Sequence, residues 1–235
     1  MSPIASDGMP GAMKPGGMDG IIVMGSFRSG TSLTCRILSI LGVDFGPPAR
    51  MLKPDLFNPR GYLQRADVRM ANNRLIRSTG SCLSWPDHPQ HLADSGDLHF
   101  LAAPDLAWRE RSPLWGMKDP RFCATLLAWF KSGAIDSRSI RIVHVSRDPE
   151  DCARSMYAMP ELAKHLRPAT LPSARKTIRR YVELAEWHAA HSGQQVFSLA
   201  YEDLLSIPHE RIAALANFVG CKEGTQIEAA IRLMA

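Results

Sequence analysis

The stretch "IIVMGSFRSGTSLT", Ile21 to Thr34, decides the fold. A short apolar run precedes a loop framed by Gly25 and Gly30, and a helix-like pattern follows the loop. In such a strand–loop–helix unit the backbone amides converge on an anion, and the helix dipole adds positive potential at the same point. The stretch therefore predicts a phosphate-binding loop.

The side chains of this loop differ from those of a nucleoside-triphosphate loop. The pattern GxxxxGK[ST] needs a lysine after the second glycine to reach the β and γ phosphates, and a hydroxyl to hold magnesium. Here Thr31 takes the place of that lysine, and the cation is Arg28, inside the loop. Ser29, Thr31 and Ser32 supply hydroxyl groups. The loop suits one terminal phosphate group, although a turn without a ligand is the alternative.

Short β-branched runs alternate with longer helical patterns along the rest of the chain. This alternation is typical of βαβ units whose parallel sheet is covered on both faces. We predict a three-layer, P-loop-like α/β fold with a central, mainly parallel sheet of about five strands. The predicted strands are 21–24, 43–45, 114–117, 140–145 and 195–199. The predicted helices are 30–41, 66–78, 120–131, 149–158, 173–191 and 209–219.

Length and composition favour one domain. The chain has 235 residues and 45% apolar content, enough for a full core. Residues 1–20 are rich in Gly, Pro and Met without periodicity and are predicted to be a flexible leader. Residues 21–235 then form a single domain with an irregular, proline-dotted insertion at 79–113. Insertions of this kind often line a binding site.

Charge and cysteine usage exclude several functional classes. The net charge of +5 is modest and scattered, which favours a small anionic ligand over a nucleic acid. The five cysteines are far apart without a CxxC pair, so neither a disulfide framework nor a zinc site is expected, and a cytoplasmic location is predicted. No apolar run approaches the roughly 18 residues of a membrane span, and no signal peptide is expected.

A second anion-binding segment is "VHVSRDPEDCARSMY", residues 143–157. Arg147 follows a predicted strand, at the edge where open α/β sheets bind ligands. Asp148 and Pro149 have the sequence of a helix start, and Ser155 lies two turns further on, on the same helix face as Asp148. We predict that Arg147 and Ser155 bind one anion together. A surface ion pair of Arg147 is the alternative.

Together these segments resemble the donor-binding motifs of sulfotransferases that use 3′-phosphoadenosine 5′-phosphosulfate (PAPS). "GSFRSGTSLT" is similar to their phosphosulfate loop, and "SRDPEDCARSMY" is similar to their 3′-phosphate motif. "NPRGYLQ" (58–64) and "WGMKDPR" (115–121) resemble segments of bacterial members, and the Lys-Asp-Pro element also resembles tyrosylprotein sulfotransferases. Residues 197–220 resemble the family's later strand and following helices. The likeness covers roughly residues 20 to 220.

The resemblance implies transfer of a sulfuryl group from PAPS to a hydroxyl or amine of a small-molecule, carbohydrate or peptide acceptor, without a metal. Lys118 would then stabilise charge at the bridging oxygen, unless it is a solvated lysine at a strand end. Tyr201 would contact the adenine, unless it is only a packed ring at a helix start. The other donor-binding residues would be Arg28, Ser29, Gly30, Thr31, Ser32, Arg147 and Ser155.

A general base should remove the proton of the acceptor. Asp55 is our choice, with a turn aspartate after Pro54 as the alternative. Asp67 and His88 are further candidates. Many relatives have a glutamate where this chain has Gln64, and glutamine cannot accept a proton in that role.

Two other functions stay open. A P-loop nucleotide kinase or NTPase is disfavoured by the missing lysine after Gly30. A non-catalytic nucleotide-binding homologue is suggested by Gln64. The cations of the predicted helix 173–191 are most simply a solvated face, with an acidic acceptor as the alternative ligand. These cations are Arg175, Lys176, Arg179 and Arg180.

Overall fold

A computed structural model describes residues 19–234 and contains a parallel sheet of four strands in the order β2-β1-β3-β4. The strands are β1 (Asp19–Met24), β2 (Leu114–Lys118), β3 (Ile140–Ser146) and β4 (Gln195–Ala200). Ile22 and Met24 of β1 belong to one core cluster, and Ile21 and Val23 belong to the other. Because successive side chains alternate between faces, the sheet is buried on both sides. The predicted α/β fold is confirmed.

Helices cover both faces of this sheet. They are α1 (Thr31–Ile40), α2 (Ala66–Ser78), α3 (Pro89–Ser95), α4 (Phe122–Lys131), α5 (Pro149–Tyr157), α6 (Pro160–Ala163), α7 (Leu171–His191), α8 (Tyr201–Ser206), α9 (Pro208–Val219) and α10 (Gly224–Arg232). One layer packs α1, α9 and α10 against β1 and β3, and the other contains α2, α3, α4, α5 and α7. The short helices α3, α6 and α8 and the terminal α10 were not predicted.

The predicted fifth strand, 43–45, is reduced to one bridge. Asp44 alone pairs with Trp115, next to β2, through hydrogen bonds of 3.0 Å to Leu114 O and 2.7 Å from Gly116 N. Gly46 then adopts a left-handed conformation with φ 92°, and the prolines at 47 and 48 lack the N–H that a ladder needs. These residues stop the strand after a single pair.

The insertion, residues 79–113, is more regular than predicted. It contains α3 and two 3₁₀ turns, Leu98–Ala102 and Ala107–Arg111. Its apolar side chains belong to the main core, where Leu83, Leu92, Leu101 and Trp108 are at most 6% exposed.

The predicted leader, residues 1–20, lies mostly outside the described residues. Its last two residues, Asp19 and Gly20, begin β1 and pair with β2. No helix between residues 19 and 234 is long and apolar enough to cross a membrane. The predicted single domain and cytoplasmic location stay predictions.

Candidate active site

A cleft of about 660 Å³ opens at the carboxyl end of the parallel strands. Its walls come from the loop after β1, the segment 52–64, α2, the residues after β2 and β3, and the segment 159–165. The volume is within the range of sites that hold small molecules. Parallel sheets bind ligands at this edge because strand ends and helix N-termini meet there.

The predicted phosphate loop joins β1 to α1 and is anchored in the core. Phe27 is buried in edge-to-face contact with Tyr181, at 4.8 Å between ring centroids, and Ser29 Oγ donates to Ser26 O at 2.9 Å. Helix α1 begins at Thr31 without a side-chain cap and without an acidic residue in its first turn. Its first amides have no intrahelical acceptor, so the positive helix end at the cleft is not neutralised.

Arg28 lies at the tip of this loop in a left-handed conformation, φ 68°. For a residue with a Cβ this conformation costs roughly 1 kcal/mol, so the loop holds the side chain in place against a backbone preference. Its Nε donates to Ser155 Oγ at 2.9 Å, and Arg147 Nη1 donates to Arg28 O at 3.4 Å. The structure thus brings the two predicted anion-binding segments into direct contact at the cleft.

Arg147 and Tyr201 form the adjacent wall. The guanidinium of Arg147 lies 4.8 Å from the centroid of the Tyr201 ring and pairs with Asp151 at 3.3 Å, while its Nε is buried without a hydrogen-bond partner in the described part of the chain. The Tyr201 ring packs on Gly30, where an added Cβ would lie 2.4 Å from Tyr201 Cδ2. Only glycine fits there, since Gly30 also has φ 95°.

The N-terminus of α5 does not provide a second helix-end anion site. Asp148 accepts a hydrogen bond from Asp151 N at 2.9 Å, and Glu150 and Asp151 occupy the first turn. These carboxylates offset the dipole. Anion affinity in this segment therefore depends on the side chains of Arg147 and Ser155.

Lys118 is the last residue of β2 and is only 3% exposed. Its Nζ donates to Ser32 Oγ at 3.1 Å and lies 5.7 Å from the centroid of the Tyr62 ring. Burial lowers the pKa of this ammonium to about 8. The neighbouring Asp119 pairs with Arg121 instead. The alternative of a solvated lysine is wrong, and the buried cation lines the cleft.

Gln64 supports a buried carboxylate next to Lys118. Asp119 is fully buried and accepts hydrogen bonds from Gln64 Nε2 at 3.0 Å, Arg121 N at 2.8 Å and Arg121 Nη1 at 3.1 Å. A glutamate at position 64 would place two carboxylates together in a buried site, which disfavours ionisation of both. The amide of Gln64 therefore stabilises the buried carboxylate of Asp119, which a glutamate at this position would not do.

Asp55 lies in the 52–64 segment at the mouth of the cleft. Burial acts to raise its pKa, but hydrogen bonds from Tyr62 OH at 2.7 Å and from the amides of Asn58 and Phe57, each at 2.9 Å, outweigh it and lower the pKa. Asp55 is also the turn aspartate of the alternative interpretation, because both amides donate hydrogen bonds to its Oδ1.

The other two candidate bases lie elsewhere. Asp67, in the first turn of α2, accepts hydrogen bonds from Arg65 Nε at 3.0 Å and from Arg65 Nη2 at 2.5 Å. His88 caps α3 and contacts the ring of Trp187 at 4.8 Å. Neither residue lines the cleft.

The cleft wall differs from the sequence prediction in two ways. Residues 79–113 contribute nothing to it, because their apolar side chains are used in the core, so the expectation that this insertion lines the site is wrong. Segment 159–165 lines it instead. The only sequence signal was the apolar pair Met159 and Leu162, which share a face at helical spacing. The prediction also missed the cleft residues Arg36, Arg69, Asn73, Arg121 and His165.

Within residues 19–234, no three His, Cys, Asp or Glu side chains are grouped so as to hold a metal ion. The expected metal-free reaction stays a prediction.

Comparison with known proteins places the chain in a family. No curated protein shows significant sequence similarity to it. Similar solved structures are a sulfotransferase from Alicyclobacillus acidocaldarius (TM-score 0.51, 15% identity, 87% of this chain and 81% of that one) and sulfotransferase STF9 from Mycobacterium avium (TM-score 0.54, 14% identity, 92% and 67%). A sulfotransferase domain from the curacin biosynthetic pathway has TM-score 0.52 and 13% identity over 89% and 76%. At such identities these structures show a shared fold. The family model described as "Sulfotransferase domain" matches residues 18–234, and the chain therefore belongs to the sulfotransferase domain family.

Proposed function

We propose that this sulfotransferase takes its sulfuryl group from PAPS and transfers it to a hydroxyl or amine of a small acceptor. The observation that supports this most is the convergence of Arg28, Lys118 and Arg147 on one cleft at the N-terminus of α1. The alternative function, a P-loop nucleotide kinase or NTPase, is disfavoured because this chain lacks the lysine that should follow Gly30.

The residues present fit the donor. Arg28 and the first amides of α1 would hold the 5′-phosphosulfate, and Arg147 with Ser155 would hold the 3′-phosphate. The buried, unpartnered Nε of Arg147 supports this assignment, because an arginine N–H without an acceptor is costly until an anion binds. The ring of Tyr201, fixed against Gly30, would lie beside the adenine.

Lys118 and Asp55 would act on opposite sides of the transfer, Lys118 on the leaving group and Asp55 on the acceptor. When bound, the donor supplies the sulfuryl group, which leaves adenosine 3′,5′-bisphosphate behind. The Lys118 ammonium would stabilise the negative charge on that departing phosphate oxygen. The acceptor proton would pass to Asp55, which its lowered pKa keeps ionised at neutral pH.

Nucleotide binding tests the donor assignment. Adenosine 3′,5′-bisphosphate should bind more tightly than AMP, because only the former carries the 3′-phosphate. Arg147→Ala should remove about tenfold or more of the affinity for the bisphosphate and leave AMP almost unchanged, since a hydrogen bond to a charged group contributes about 1.5–3 kcal/mol. Isothermal titration of both nucleotides gives the comparison.

Arg154→Ala is the matched control, because Arg154 is an exposed cation of α5, the helix that follows Arg147, and pairs with Glu150 at 3.0 Å. It should keep the preference for the bisphosphate. Stronger binding of ATP with magnesium than of the bisphosphate would reject the proposal, as would equal loss of both nucleotides in Arg147→Ala.

The general base is tested by Asp55→Asn. The amide keeps an oxygen for the turn amides, so the loop should fold, while kcat should fall about 100-fold or more. His165 is the comparison, since it lines the cleft and its pKa is lowered, chiefly by burial and also by nearby cations, which leaves a neutral imidazole at pH 7. Unchanged kcat in Asp55→Asn together with loss in His165→Asn would transfer the role to His165.

A further inference from the structure

One end of the cleft has more positive charge than the donor assignment uses. We call it the α2–α6 end; it is lined by Arg69, Asn73, Arg121, Leu162 and His165. Its walls are α2 on one side and the segment around α6 on the other. None of these side chains belongs to the donor set.

Two buried polar atoms at this end lack a hydrogen-bond partner among residues 19–234. Arg121 is 5% exposed, and its Nη1 is held by Asp119, but its Nε has no acceptor. Asn73 Oδ1 is likewise buried without a donor. Buried polar atoms are nearly always paired, so one free donor and one free acceptor among residues that line the same cleft point to a polar ligand.

The charges of this end do not cancel. Glu161 lines this end and pairs with Lys164, and the buried Asp119 pairs with Arg121. Arg69 makes no ion pair in the described part of the chain. The pKa of His165 is lowered by burial and then by four neighbouring cations, Arg121 and Lys164 first among them, with no acid among the causes.

Three of the four cations of α7 are engaged elsewhere. Arg175 makes a bidentate pair with Glu150, at 2.7 Å for both contacts. Arg180 donates to Pro86 O at 3.0 Å, and Lys176 lies 4.6 Å from the Trp85 ring. None of them lines the cleft, so the earlier alternative, an acidic acceptor bound by this helix, is not supported.

We propose that the acceptor is a small hydroxylated acid whose carboxylate or other anionic group is bound by Arg69 and Arg121. Its assignment as the acceptor rests on the proposed function. The donor group that Asn73 Oδ1 lacks would be a second hydroxyl or amide of the same molecule. Such an acid fits this end by charge and by hydrogen bonding, and it would lie beside the Lys118 and Gln64 wall of the same cleft.

Matched pairs of acids and amides test the proposal. The probes are hydroxyphenylacetate, gluconate and hydroxybutyrate, each against its neutral amide, titrated by saturation-transfer NMR with and without adenosine 3′,5′-bisphosphate. At least one acid should bind about tenfold or more tightly than its amide, as a charge-assisted hydrogen bond predicts. Arg69→Gln should abolish this preference. Arg69 is exposed on α2, so the variant should fold.

Arg74→Gln is the control. It removes the same charge from the same helix. The guanidinium carbon of Arg74 lies 5.8 Å from the centroid of the Phe100 ring, and Arg74 does not line the cleft. No preference for any acid in the wild type, or an equal loss in both variants, would overturn the proposal. If the bisphosphate itself does not bind, the donor assignment fails, while the titrations without nucleotide still decide whether this end selects acids.

Discussion

Replacing Arg28 with alanine is expected to lower kcat/KM for PAPS about 100- to 1,000-fold, the usual effect of removing one preorganised donor to a developing charge. The arginine is held at the loop tip with φ 68°, and its guanidinium contacts Ser155 at 2.9 Å. Alanine has the same backbone preference, so the loop strain does not change. Turnover of radiolabelled PAPS measures the loss.

Arg28→Lys separates charge from shape. Lysine keeps the positive charge but not the Nε donor, so it should recover only part of the rate. Circular dichroism should show the same fold and a similar melting temperature in all three proteins. Full activity of Arg28→Ala would show that the loop cation does not contact the reacting group.

Replacing Lys118 with methionine is expected to have opposite effects on activity and on stability. The rate kcat should fall about 100-fold or more, because the cation proposed to stabilise the leaving phosphate oxygen is lost. The free energy of unfolding at pH 7 should increase by up to about 3 kcal/mol, since a lowering of the pKa from 10.5 to about 8 corresponds to roughly that cost. Methionine fills similar space without a buried charge.

The difference in stability between Lys118→Met and the wild type should decrease as the pH rises. Below pH 8 Lys118 is protonated in both the folded and the unfolded chain, so the full cost is present. Between the folded pKa of about 8 and the unfolded value of 10.5, only the unfolded chain keeps the proton, and the stability advantage of Lys118→Met should fade. Urea unfolding at several pH values measures it.

The wild-type activity should follow the same ionisation. Since the proposed role of Lys118 needs the ammonium form, kcat/KM should decline above about pH 8, and Lys118→Arg should move that decline to higher pH. A wild-type profile that is flat to pH 10 would contradict the assigned role, as would unchanged kcat in Lys118→Met.

Much of the scaffold could be predicted from the sequence because its signals are local. The apolar runs at β1 and β3 alternate between two buried faces, and the predicted helix 66–78 agrees with α2, whose periodic pattern is long. Segment 43–45 has the composition of a strand, but Gly46 and the prolines after it limit it to one pair.

The site was predictable where its residues lie next to strand ends. Arg28, Lys118 and Arg147 each follow a recognisable strand, and parallel topology brings such ends together. The α2–α6 end was not predictable, because Asn73, Arg121 and His165 meet only through the packing of distant segments. Gln64 looked like a lost base, and only the buried contact with Asp119 shows why an amide is there.

A crystal structure of the protein with adenosine 3′,5′-bisphosphate tests the central claim most directly. The account predicts one nucleotide with its 5′-phosphate at the α1 N-terminus near Arg28 and its 3′-phosphate on Arg147 and Ser155, with Lys118 facing the 5′ end. A nucleotide bound outside this cleft, or one that contacts the loop of Arg28 but leaves Arg147 in contact only with protein groups, would contradict it.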